Sequence, residues 1–201
     1  MLDKIVSAFS KPINESLNLN VYNKLEKPDL AFIQGVGNYM YDKYNESGEE
    51  SFREVIKNAQ RNSFLFDLLR DESRKRLKNQ TEIFALIDSS KYDEQIGPQM
   101  LRKICIYPHN VMSGSLDPNQ LVDFGHRRKD ENIIVGSFEL DHKNVILFIP
   151  TVLEWIDNFS KTNKLSPMLK SVKTAIEQFK WKQEVIVLHD PNNLGEIVHA
   201  E

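Results

Sequence analysis

Asn132-Ile-Ile-Val-Gly-Ser-Phe-Glu-Leu-Asp-His-Lys-Asn-Val-Ile-Leu-Phe-Ile149 is the stretch that decides the fold class. Two runs rich in β-branched and aromatic residues, Asn132 to Leu140 and Asn144 to Ile149, flank Asp141-His-Lys143, and this pattern predicts a hairpin over 132–149. Side chains alternate across a strand, so Ile134, Gly136, Phe138 and Leu140 share one face and Ile133, Val135, Ser137 and Glu139 share the other. Val145-Ile-Leu-Phe-Ile149 is apolar on both faces, which predicts a strand interior to the sheet.

Two helices are expected after the hairpin. Thr151-x-x-Glu154 has the form of a capping box ahead of the stripe Val152, Trp155, Ile156 and Phe159. Ser166-Pro167 opens a second helix with the stripe Met168, Leu169, Val172, Ile176 and Phe179. Strands follow at Glu184 to His189 and, past the Asp190–Gly195 turn, at Glu196 to His199. Upstream of the hairpin, Asp117-Pro118-Asn119-Gln120 begins a helix that Gly125 is placed to stop.

Further towards the N-terminus the spacing is helical. Phe52, Val55, Ile56 and Ala59 form a stripe that resumes through Phe64, Leu65, Leu68 and Leu69. Leu77, Ile83, Phe84 and Ile87 predict a second helix, and Met100, Leu101, Ile104 and Cys105 a third that ends before Pro108. The polar run Asn45 to Glu50 reads as a loop, and Gly35-Val-Gly37 as a turn, since Met40 stands where a dinucleotide fingerprint needs its third glycine. The expected architecture is therefore α+β: a mainly helical N-terminal half, then an antiparallel or mixed sheet built on the 132–149 hairpin with two following helices. Residues 1–50 form an N-terminal segment packed on a main domain of 51–201, one compact domain overall.

Composition narrows the function classes. The 201 residues carry 26 Lys and Arg against 29 Asp and Glu, a formal charge of −3, with one Cys and five His. A lone cysteine excludes a disulfide framework and a cysteine-based zinc site, and fits a reducing compartment. No run of about 20 apolar residues occurs, so no membrane partner is expected. The longest uncharged run near the start, Ile5 to Ser10, is too short for a secretory signal, and a cytoplasmic location is the expectation. Walker and G-x-S-x-G sequences are missing, and His109, His126, His142, His189 and His199 form no metal-ligand spacing, so no cofactor and no metal is expected.

Charge patterning is more informative than net charge. Arg53, Lys57 and Arg61 fall at i, i+4 and i+8, and Arg70, Arg74 and Lys78 repeat that spacing, so each trio stands on one helix face. Like charges four apart repel by a few tenths of a kcal/mol per pair, and a stripe that tolerates this points to an anionic partner. Gly125-His126-Arg127-Arg128-Lys129 sits between the expected helix stop and the hairpin, where Arg127 and Arg128 suit an anionic group and His126 a base. Glu139 and His142 lie close by in sequence and complete the set of candidate catalytic side chains.

These features predict a non-enzymatic accessory or regulatory module that binds another macromolecule through basic helical faces, its partner a protein or a nucleic acid. A nucleic-acid-binding or nucleic-acid-processing protein is the alternative. A small hydrolase or transferase with its site near the hairpin is a further one.

Overall fold

The computed structural model describes residues 25–42, 46–87, 111–128, 133–179, 183–188 and 195–200. The expected helix at Met100 to Cys105 lies outside them. In chain order the elements are α1 (Lys27–Asp42), α2 (Glu46–Asn62), α3 (Phe64–Leu77), β1 (Glu82–Ile87), β2 (Val111–Ser115), α4 (Pro118–Arg128), β3 (Ile134–Glu139), a 3₁₀ turn (His142–Asn144), β4 (Val145–Phe148), α5 (Ile149–Thr162), α6 (Pro167–Phe179), β5 (Glu184–Leu188) and β6 (Glu196–Ala200). The fold is α+β, with helices leading and a six-stranded antiparallel sheet of order β4-β5-β2-β1-β3-β6.

The sheet corrects the expected hairpin. β3 pairs with β1 and β6, β4 pairs with β5, and three strands separate β3 from β4 in the order. The alternation within β3 does hold: Ile134, Phe138 and Leu140 enter one core, while Ile133 and Val135 pack under α4. β4 is an edge strand rather than an interior one. All four of its residues are nevertheless buried, because α3 lies against it and supplies what a neighbouring strand would. An apolar strand buried on both faces fits an interior position, but a helix packed on an edge strand produces the same burial.

Two further corrections follow from local physics. Residues 82–87 form β1, not a helix. A turn after Leu77, held by the Gln80 amide donating to the Leu77 carbonyl, breaks the helical phase, and Ile83, Ala85 and Ile87 then bury at strand period. The long stripe from Phe52 to Leu69 is likewise two helices, divided at Ser63 in an extended conformation. Asn45 lies outside the described residues, while Glu46 to Glu50 belong to α2 instead of a loop.

The main core lies between the sheet and the helices α1, α2, α3, α5 and α6. Phe32, Val36 and Met40 of α1 meet Phe52 and Ile56 of α2, Phe66 of α3, Trp155 of α5 and Val172 of α6, above Leu147 and Ile186 of the sheet. Gly35 and Gly37 sit inside α1, not in a turn. A Cβ on Gly35 would collide with Val55 of α2, and one on Gly37 would lie 2.7 Å from Val172 Cγ2 of α6, so these glycines let α1 pass closely between its two neighbours. The register places Phe84 and Leu86 on the same sheet face as Ile186, and there α4 covers them with Leu121 and Val122. A second core, with Leu77, Ile83, Met112, Phe138, Phe148 and Val185, occupies the opposite face.

Capping departs from expectation in two places. Asp117 accepts the Asn119 amide at 3.0 Å, but α4 continues through Gly125 to Arg128, with Gly125 buried against Ile133. His126, Arg127 and Arg128 therefore belong to the last turns of a helix and not to a loop. α5 begins at Ile149 with Pro150 in its first turn, so Thr151 is inside the helix, and its buried hydroxyl has no hydrogen-bond partner among the described residues.

Candidate functional site: the cationic face of α2

α3 shows how the fold uses one of the two basic rows. Its N-terminus is held by a buried carboxylate: Asp29 Oδ1 accepts from the Ser63 hydroxyl at 2.7 Å and the Leu65 amide at 3.1 Å, and Oδ2 accepts from the Glu26 amide at 3.1 Å. Ser63 Oγ in turn accepts from the Phe66 amide at 3.1 Å. One acidic side chain thus serves the starts of both α1 and α3, where the helix dipoles favour negative charge.

Along the body of α3 the arginines Arg70, Arg74 and Arg76 engage protein partners, while Lys75 is exposed. Arg70 pairs with Asp67 at 2.9 Å and Asp71 at 3.5 Å, with its guanidinium 5.4 Å from the Phe66 ring centroid. Arg74 donates from Nε to the Val145 carbonyl at 3.1 Å and from Nη2 to the Lys143 carbonyl at 2.6 Å. Ser73 Oγ donates to the Leu69 carbonyl and accepts the Phe148 amide at 2.9 Å. These bonds satisfy backbone groups of β4 that a missing neighbour strand leaves open. Arg76 extends the seam by pairing with Glu154 of α5 at 2.6 Å. Of the row Arg70, Arg74 and Lys78, only Lys78, just past the helix end, stands exposed without a carboxylate partner among the described residues.

The row on α2 has the opposite character. Phe52, Ile56 and Ala59 bury one side of the helix, which turns Lys57 and Arg61 to solvent and leaves Arg53 half-exposed. Lys57 Nζ donates to Glu54 Oε1 at 2.6 Å. Among the described side chains no carboxylate pairs with Arg53 or Arg61; those of Glu46, Glu49 and Glu50, in the first turns of the same helix, lie outside them. The field of this row is legible on Glu54, whose carboxyl is held below the ordinary glutamate range. The Lys57 hydrogen bond is the main cause, then the Lys57 charge, with smaller contributions from Arg53 and Arg61 and an opposing one from burial. Next to the row comes Phe64, the first residue of α3 and 61% exposed. The Ser63 break resets the helical phase, which carries Leu65 and Leu69 into the core and leaves Phe64 facing water.

The hairpin candidates occupy three separate elements. His126 is exposed on α4, Glu139 is exposed at the end of β3, and His142 is half-buried in the 3₁₀ turn with Nε2 2.8 Å from the Leu77 carbonyl. That contact ties His142 to the C-terminus of α3. Arg127 and Arg128 lie on α4, with side chains outside the described residues.

The sequence reading passed over a buried polar group on the helical face of the sheet. Glu184, 2% exposed at the start of β5, accepts a short hydrogen bond from Ser113 of β2, and Ser115 Oγ accepts the Asp117 amide at 3.2 Å. In sequence, Glu184 was only the first residue of an apolar strand, and no local signal marks its burial. Among the described residues no group of three or more His, Cys, Asp or Glu gathers to hold a metal, and no helix is long and apolar enough to cross a membrane. Comparison of the chain with protein-family models, curated proteins and solved structures finds no match.

Proposed function

We propose that this chain is a non-enzymatic module that binds another macromolecule through the outward face of α2. The observation that supports this reading is the contrast between two rows with the same spacing. Arg70 and Arg74 are engaged by the fold, whereas Arg53 and Arg61 have no carboxylate partner among the described side chains, which begin on α2 at Ser51. The C-terminal part of α2, residues 51 to 62, carries three cations, Arg53, Lys57 and Arg61, against one carboxylate, Glu54, whereas its first turns carry Glu46, Glu49 and Glu50. A local excess of cations in the second half of the helix favours an anionic group docked there.

A polyanion titration tests the reading. Poly-L-glutamate and a 16-nucleotide oligo-dT, each labelled, are added to wild-type protein and to the double variant Arg53→Gln/Arg61→Gln at rising salt. Binding of at least one polyanion, weakening as salt rises and reduced tenfold or more in the variant, is the expected result. If neither probe binds at about 50 mM salt, or the variant binds equally well, the reading fails.

A further inference from the structure

We draw no further inference here: the strongest candidate, the polar cluster of Ser113, Ser115 and buried Glu184 on the helical face of the sheet, carries nothing because its side chains already bond within the chain, Glu184 to the Ser113 hydroxyl and Ser115 to the Asp117 amide.

Discussion

Replacing Arg74 by Met separates the two basic rows in one measurement. The Met side chain keeps much of the apolar stem and removes the guanidinium, so packing changes little and two hydrogen bonds are lost. The bond to the Val145 carbonyl is part-buried, and Val145 itself is fully buried, so that carbonyl loses a charge-assisted partner with little access to water. Such a bond is worth about 1.5–3 kcal/mol. The bond to the Lys143 carbonyl is exposed and water replaces it, so it adds a few tenths of a kcal/mol. Arg74→Met is therefore expected to destabilise the fold by about 2–3 kcal/mol. With a urea dependence of about 2 kcal/mol per molar, the unfolding midpoint falls by about 1 M. Arg61→Met makes the same chemical change at an exposed residue without a carboxylate partner among the described side chains, and is expected to stay within about 0.5 kcal/mol of wild type. Urea unfolding followed by tryptophan fluorescence reads both, because Trp155 sits in the main core. Polyanion binding shows the converse, lost with Arg61 and kept with Arg74. An unchanged midpoint for Arg74→Met, or a larger loss for Arg61→Met, refutes the assignment of Arg74 to the edge of the sheet.

Asp29→Ala removes the acceptor of three hydrogen bonds and leaves the Ser63 hydroxyl and Leu65 amide short of a partner, so the urea midpoint should reflect a loss of about 3 kcal/mol. Thr151→Val replaces a buried hydroxyl that has no partner among the described residues with a methyl group of similar shape, and a gain of about 1 kcal/mol is expected in the same assay. A carbon-detected NMR titration of Glu54 should give a midpoint below the ordinary glutamate value, moving up towards it in Lys57→Gln and in high salt. Because this carboxyl is more acidic in the folded chain, its favourable contribution is present above the unfolded value and disappears as pH falls through the folded one. A Glu54 midpoint insensitive to Lys57→Gln would remove the electrostatic argument for the α2 face.

Where burial has one cause, the sequence was readable. The α5 and α6 stripes and the alternation of β3 each follow from a single apolar face meeting a single core, and periodicity records that directly. Pairing was not readable, because the partners of β3 and β4 are chosen by contacts far along the chain and not by the short Asp141-His-Lys143 link. The two cationic rows looked alike for the same reason. Spacing places Arg53 and Arg74 on helix faces, but only the arrival of β4 beside α3 decides that Arg74 bonds to backbone carbonyls. Ser63 was the most costly omission. A serine between two apolar helical patterns is a cap signal, and reading it as one would have split the helix and placed Phe64 in the solvent.

The two ends of the strand order have a consequence for how copies of this chain behave when crowded. At one end, Ser73 and Arg74 already occupy β4's backbone groups. At the other, β6 pairs Ile197 with Gly136 and His199 with Val135, so Val198 bulges out of register, half-exposed and without a cross-strand partner among the described residues. Neither margin offers the straight, unclaimed ladder that lets one molecule extend the next into a ribbon. Concentrated samples should accordingly resist fibril growth, with association left to side chains on the helices.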